Sequence, residues 1–117
     1  MAGQYTFYSG NNATGTNLGS VSESQGQSYN LTQSGAPIKN DEARSVILSN
    51  VSDGATLIVS DDPNGSMTDD WCVIVALKNL TSYTVGSFES SYQDASVRVT
   101  YFKNNGLDGK VSHIATA

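Results

Sequence analysis

The stretch YSGNNATG at residues 8–15 lines up without gaps on IVSDDPNG at residues 58–65. Each copy has an apolar residue that closes a strand, then a polar turn, then a glycine seven positions after the apolar residue. Further along, NDEARSV at residues 40–46 lines up on DGKVSHI at residues 108–114, where a polar turn runs into an apolar segment. An internal repeat of this kind predicts two copies of one supersecondary unit.

The two copies differ in length. Between the hairpin glycine and the second position of the following polar turn there are 26 positions in the first half and 44 in the second. The second half therefore carries 18 additional residues, which we expect between Leu77 and Asn104.

Short apolar runs separated by Gly, Ser, Thr and Asn predict an all-β chain, because strands alternate with turns in such sequences. Residues 69–80 leave a helix open as the alternative, but Val73, Ile74 and Val75 are β-branched and favour a strand. The predicted strands are residues 4–9, 17–22, 28–31, 45–48, 56–60, 71–77, 83–85, 97–102 and 111–114.

Composition bounds the function before any motif is considered. The 117 residues, with 38% hydrophobic and 15% charged side chains, are typical of one folded domain covering residues 1–117. A net charge of -5 repels phosphate backbones and anionic lipids, so nucleic acid and membrane surfaces are disfavoured partners and a divalent cation is favoured.

The chain has one cysteine, Cys72, so it forms no intrachain disulfide, and we expect Cys72 to be a buried small hydrophobe. Its first residues lack a basic segment followed by an apolar one, and its longest apolar run, residues 71–77, is too short to span a bilayer. These features lead us to expect a cytoplasmic protein, with a monomer favoured over an obligate oligomer.

With these hairpins and polar turns, the chain resembles the βγ-crystallin superfamily, in its microbial, non-lens form. The segment YTFYSGNNATG at residues 5–15 is similar to the family's aromatic strand and folded hairpin. Residues 40–45 and 108–113 are similar to the family's calcium signature, N/D-N/D-x-x-S/T-S. The resemblance implies a β-sandwich of two Greek-key motifs, about 4–49 and about 55–115, of which the second is elaborated.

The resemblance also implies calcium ligands that cross between the halves. One site would combine the Asp41 side chain and the Glu42 carbonyl with the Ser112 hydroxyl and the Val59 carbonyl. Carboxylate, hydroxyl and carbonyl oxygens are the ligands that Ca²⁺ prefers. The expectation is one bound calcium ion in a structural or stress-related protein.

The second implied site has lost its side-chain ligands. It would combine Gly109 with Arg44, beside the Ser9 carbonyl, and neither Gly109 nor Arg44 supplies a side-chain oxygen. The Arg44 guanidinium either acts as a tethered cation that satisfies the Ser9 carbonyl or pairs with Glu42 or Asp41 at the surface.

The remaining acidic pairs, the histidine and the function allow other interpretations. The pairs Asp61-Asp62 and Asp69-Asp70 are either solvated turn residues or a further cation cluster. An enzyme is not expected, because the one histidine, His113, has no Cys or Ser-Asp arrangement in a known catalytic order. The alternative function is a carbohydrate- or protein-binding module, such as a lectin or protease inhibitor, on the same fold.

Overall fold

The computed structural model describes residues 3–102 and 105–117, which form two antiparallel β-sheets around one shared core. These residues contain no α-helix, and a single 3-10 turn lies at Asn11–Ala13. The all-β prediction is confirmed, and the layered arrangement is that of a β-sandwich. The strands of the described residues are β1 Gln4–Tyr8, β2 Asn17–Ser22, β3 Ser28–Asn30, β4 Ser45–Val51, β5 Thr56–Ser60, β6 Trp71–Ala76, β7 Leu80–Val85, β8 Tyr92–Gln93, β9 Val97–Phe102 and β10 His113–Thr116.

The two halves of the chain exchange strands. One sheet has the order β2-β1-β4-β7, and the other has the order β3-β10-β5-β6-β9-β8. The third strand of the first half, β3, therefore pairs with β10, and the corresponding strand of the second half, β7, pairs with β4. This exchange brings the polar turns that precede β4 and β10 to the same end of the molecule.

Residues 69–80, for which a helix was the alternative, contain strand β6 in the centre of the larger sheet. Side chains along β6 alternate between half-buried and buried, with Cys72 and Ile74 facing the core. This two-residue period, rather than a helical one, is what the β-branched residues at 73–75 favour. Burial raises the pKa of the Cys72 thiol to about 12, as expected for an inert buried cysteine.

The longer second half adds two strands, β8 and β9, for which the first half has no counterpart. They extend the larger sheet beyond β6. The sequence predicts β9 with its observed bounds but not β8, which is two residues long. The expected insertion reaches Asn104, which lies outside the described residues.

Candidate metal site

The two signature turns, residues 40–45 and 108–113, lie against each other and exchange backbone hydrogen bonds. The Asp41 N–H donates to the Val111 carbonyl at 3.1 Å, and the Gly109 N–H donates to the Ala43 carbonyl at 2.9 Å. Asp41 and Gly109, the second residues of their turns, both have positive φ, 60° and 80°. Glycine adopts this conformation freely and aspartate tolerates it, so the turns have equivalent backbones with different side chains.

The structure brings the Asp41 and Ser112 side chains together. The Ser112 hydroxyl donates to Asp41 Oδ1 at 3.0 Å across 71 positions of sequence. Ser112 is 5% exposed, whereas Asp41 is exposed. A buried hydroxyl and an accessible carboxylate, one from each half, therefore face each other at the end of the sandwich.

The Glu42 carbonyl is free beside this pair, but Val59 lies elsewhere. No group in the described residues donates to the Glu42 carbonyl. Val59 is fully buried within β5, opposite Cys72 in β6. Because Asp61 N–H donates to the Asp70 carbonyl two residues further along, the alternation of an antiparallel ladder commits the Val59 carbonyl to β6. The structure does not bring Val59 to the Asp41–Ser112 pair.

Val59 does not reach the pair because the strand register differs between the two halves. The Arg44 N–H donates to the Tyr8 carbonyl, and its counterpart, the Ser112 N–H, donates to the Ser60 carbonyl. Tyr8 therefore corresponds to Ser60, not to Ile58 as in the gap-free alignment. The strand-closing bond after Tyr8 joins residues 9 and 16, whereas the bond after Ser60 joins residues 61 and 70. The second hairpin is longer by two residues overall, but its glycine follows the strand two positions sooner, at five positions after Ser60 against seven after Tyr8. The alignment on the glycines therefore assigned Val59 and Ser60, the last residues of β5, to the turn.

In the corrected register, Asp61 stands where Val59 was expected. The Asp61 carbonyl accepts no hydrogen bond from the described residues. Partial burial raises the pKa of the Asp61 carboxyl, and the charges of Asp69 and Asp41 raise it further while Lys110 opposes them. The negative charges of the second hairpin and of the first signature turn therefore repel each other. Acidic groups that repel each other in this way attract a cation.

Two side-chain oxygens, one in the first signature turn and one at the end of β5, are buried without partners. Asn40 Oδ1 and Ser60 Oγ have no hydrogen-bond partner in the described part of the chain. Asn40 precedes Asp41, and Ser60 accepts the Ser112 N–H through its carbonyl. A buried polar atom without a partner costs free energy, so these two oxygens are unsatisfied acceptors. The sequence offers no signal for Ser60, because a serine at the end of an apolar strand resembles any turn residue.

The second crossed pair, Arg44 and Gly109, is also brought together. A Cβ atom on Gly109 would lie 3.0 Å from Arg44 Nη2, so the guanidinium fills the space of the missing side chain. Arg44 is exposed. In residues 3–102 and 105–117 its guanidinium has no hydrogen bond or ion pair, and the one ion pair there joins Lys39 Nζ to Glu42 Oε1 at 3.9 Å. The expected contacts with the Ser9 carbonyl, Glu42 or Asp41 are therefore not seen.

The hairpin acids mostly satisfy backbone groups of the protein. Asp62 Oδ2 accepts the N–H groups of Asn64 and Ser66, and Asp69 Oδ1 accepts the Asp70 N–H. Asp70 is fully buried, and its Oδ2 accepts bonds from the Tyr101 hydroxyl and two backbone N–H groups. The described residues hold no group of three or more His, Cys, Asp or Glu side chains that could bind a metal by themselves. Any cation here depends on carbonyl and hydroxyl oxygens as well.

Asp108, at the first position of its turn, is held by protein donors. Its Oδ1 accepts the Phe88 N–H at 2.8 Å, and its Oδ2 accepts Asn11 Nδ2 at 2.8 Å and the Ser87 hydroxyl at 2.6 Å. The carboxylate thereby joins the second turn to the first hairpin and to the residues after β7.

The ring contacts of His113 and Trp71 could not be predicted from the sequence. The His113 ring packs against Gly65 of the second hairpin, at 2.9 Å from where a Cβ would be. Burial lowers the pKa of His113, and the Asp62 charge opposes this. Trp71, the first residue of the longest apolar run, is half-buried and stacks on Phe102, with ring centroids 4.4 Å apart.

Comparison with family models, curated proteins and solved structures finds no significant match. Across the described ranges, no helix has the length and apolar character needed to cross a membrane.

Proposed function

We propose that this protein is a non-enzymatic, calcium-binding structural domain of the βγ-crystallin type, with one ion held between its signature turns. The observation that carries the proposal is the meeting of Asp41 and Ser112, two oxygen-bearing side chains from different halves, at 3.0 Å. A carboxylate and a hydroxyl oxygen are both ligands that a hard cation such as Ca²⁺ prefers.

The strand order supports this proposal. The first half contributes β1, β2 and β4 to one sheet and lends β3 to the other. The second half contributes β5, β6 and β10, together with the added β8 and β9, and lends β7. Two Greek-key motifs, about 4–49 and about 55–115, would produce this exchange, with β8 and β9 as an addition to the second. The turns that would hold calcium then lie at the junction of the two motifs, where an ion would link them.

The ligands available at the junction fit calcium. The Asp41 carboxylate supplies charge, the Ser112 hydroxyl and the Glu42 carbonyl supply neutral oxygens, and the Asp61 carbonyl stands in the place first assigned to Val59. Water would complete the coordination of about six to eight oxygens. When bound, the ion would supply positive charge near Asp41 and Asp61, whose negative charges repel each other.

A structural role is proposed because the reactive side chains are committed elsewhere. His113 packs against Gly65, and Cys72 is fully buried with a raised pKa. Neither has the exposed, activated environment of a nucleophile or general base.

Calorimetric titration of chelator-treated protein with calcium tests the proposal. We expect about one equivalent of calcium per chain and a higher melting temperature in calcium than in chelator. A ligand that binds only the folded state adds about 2.7 kcal/mol at a hundredfold excess over Kd. Melting curves that superimpose in calcium and in chelator would overturn the proposal.

A further inference from the structure

Residues 86–89, which follow strand β7, connect the core, the first hairpin and the second signature turn, and we call them the linking segment. The Phe88 side chain is fully buried and packs against Phe7 of β1, with ring centroids 6.4 Å apart. The Gly86 carbonyl accepts the Asn12 N–H of the first hairpin at 3.0 Å. The core and the first half of the chain therefore hold the linking segment in place.

The linking segment forms hydrogen bonds in both directions with the start of the second signature turn. The Ser87 hydroxyl and the Phe88 N–H donate to the Asp108 carboxylate. In return, Glu89 Oε2 accepts the Leu107 N–H at 2.8 Å and the Asp108 N–H at 2.7 Å. Hydrogen bonds to a charged acceptor are roughly twice as strong as neutral ones. The Asp108 carboxylate satisfies donors of the linking segment, whereas the Glu89 carboxylate fixes two successive peptide groups of the turn.

These two peptide groups belong to a tight turn that leads into the candidate metal site. The Lys110 N–H closes the tight turn by donating to the Leu107 carbonyl at 2.9 Å. An N–H inside the tight turn and the carbonyl directly after it bond to the first signature turn. The next residue is Ser112, whose hydroxyl donates to Asp41. The orientation of the tight turn therefore decides where the Ser112 hydroxyl lies.

The chain reaches this turn by crossing the ends of β6 and β5, which separate β9 from β10 in the larger sheet. Four consecutive N–H groups in the described part of this crossing, those of residues 105–108, donate to carboxylates. The first two donate to Asp70, which is fully buried, and the last two donate to Glu89, which is exposed. No carboxylate in the described ranges accepts an N–H group of the first signature turn. The second turn thus has acidic acceptors that the first turn lacks.

From these contacts we propose that Glu89 is a positioning residue for the calcium site, whose carboxylate holds the tight turn in the orientation that brings Ser112 to Asp41. Glu89 acts through the backbone of the turn and not as a ligand. The proposal rests on the proposed function for the ion, whereas the meeting of the two turns is a contact of the structure itself. Ligands that are already held in place cost less to order on binding, so this positioning raises the affinity for calcium.

Amide hydrogen exchange of the full chain in chelator tests the positioning separately from calcium binding. The Asp41 and Gly109 N–H groups join the two signature turns. In Glu89→Ala they should exchange about 5- to 30-fold faster, because the tight turn has lost a charged acceptor. Glu23→Ala is the matched control, since Glu23 also accepts an N–H and a second donor, but from Ser52 in the linker between β4 and β5. It should leave both exchange rates close to those of the wild type.

Glu89→Gln separates the position of the turn from the charge of the side chain. Glutamine keeps an acceptor oxygen for the two N–H groups but has no negative charge, so the exchange rates should stay closer to the wild type than in Glu89→Ala. Calorimetry with calcium should show Kd raised about 5- to 30-fold by Glu89→Ala and less by Glu89→Gln. Glu23→Ala should leave Kd unchanged.

Exchange of the Asp41 and Gly109 N–H groups that Glu89→Ala speeds no more than Glu23→Ala does overturns the proposal. A Kd that Glu89→Ala and Glu89→Gln raise equally also overturns it, because the charge and not the position of the turn would then set the affinity. A wild type that binds no calcium overturns the proposed function alone, and the exchange rates still decide whether Glu89 positions the turn. Thermal melting shows whether each variant is folded. If Glu89→Ala does not fold, Glu89→Gln against Glu23→Gln makes the same comparison with a smaller expected difference.

Discussion

The two crossed pairs at the end of the sandwich have the same backbone setting and opposite side chains. Asp41 and Gly109 both have positive φ, and each faces the fifth residue of the other turn. In one pair a carboxylate accepts a bond from a serine hydroxyl, and in the other an arginine side chain covers a glycine. The two turns thus share this backbone conformation, but only one of the two pairs has side-chain oxygens facing each other.

The comparison shows that backbone hydrogen bonds hold the two turns together, whereas the side chains determine which groups face each other between them. The reciprocal bonds between the turns, Asp41 to Val111 and Gly109 to Ala43, do not depend on either side chain at the second position. We infer that the fold holds the turns together without metal and that an ion would add stability at one pair alone.

The largest expected effect is at Asp108, a carboxylate that serves structure. Asp108→Ala removes the acceptor of the Phe88 N–H and of two side-chain donors. Leaving these groups unsatisfied should cost about 2–4 kcal/mol, equally in calcium and in chelator. Denaturant unfolding measures the loss, and Asp108→Asn, which keeps an acceptor oxygen, should lose less. A loss seen only in calcium would show that Asp108 is a ligand.

Next in size is the effect at Asp41. Asp41→Ala should abolish the stabilisation by calcium, which is about 2.7 kcal/mol at a hundredfold excess over Kd. Ser112→Ala should weaken it less, because it removes a neutral oxygen and not a charge. Asp53→Ala, which changes an exposed acid in the turn between β4 and β5, is the matched control. Full calcium affinity in Asp41→Ala would contradict ligands that cross between the halves.

Restoring oxygen ligands to the second pair should have a smaller, opposite effect. Arg44→Ser together with Gly109→Asp supplies a hydroxyl and a carboxylate, so calorimetry should then detect a second calcium equivalent. Arg44→Ser alone should add no ion and should change stability by less than about 1 kcal/mol, because Arg44 is exposed and unpaired in the described structure. One equivalent or none in the double variant would mean that these turns lack the necessary carbonyl oxygens.

Most of the fold could be predicted from the sequence. Strands β2, β5 and β9 have the predicted bounds, because turn residues delimit their apolar alternation on both sides. Strand β7 begins at Leu80 and not at residue 83, since its first residues pair with the end of β4. That pairing is a tertiary contact, which local patterns do not contain.

The side-chain contacts at the junction could be predicted better than the backbone ones. The resemblance of the two turns to the calcium signature implies that Asp41 meets Ser112 and that Gly109 meets Arg44, and the structure brings both pairs together. The carbonyl expected from Val59 depends instead on the strand register, and a one-residue slip already turns a carbonyl to the opposite neighbour. Gly65 follows Ser60 by five positions, whereas Gly15 follows Tyr8 by seven, so an alignment on the two glycines shifts the strand by two residues.

The smallest expected effect is at Glu23, whose two carboxylate oxygens both have protein donors. Its Oε2 accepts the Ser52 N–H at 2.7 Å and its Oε1 accepts the Ser52 hydroxyl at 3.0 Å. Partial burial opposes ionisation of Glu23, but hydrogen bonds from Ser52 and from the Gly3 backbone help to lower its pKa below the ordinary 4.5. Ionised Glu23 therefore stabilises the fold above the unfolded-state pKa, and this contribution is lost as the pH falls through the lowered, folded-state value. Glu23→Gln should lower the melting temperature by less than about 4 °C at neutral pH, and this difference should shrink as the pH falls through the lowered pKa. Calcium should not change this difference, in contrast to Asp41→Ala, because no oxygen of Glu23 lacks a protein donor. A difference between Glu23→Gln and the wild type that grows with acid, or that chelator removes, would show that the Ser52 bonds do not set its contribution.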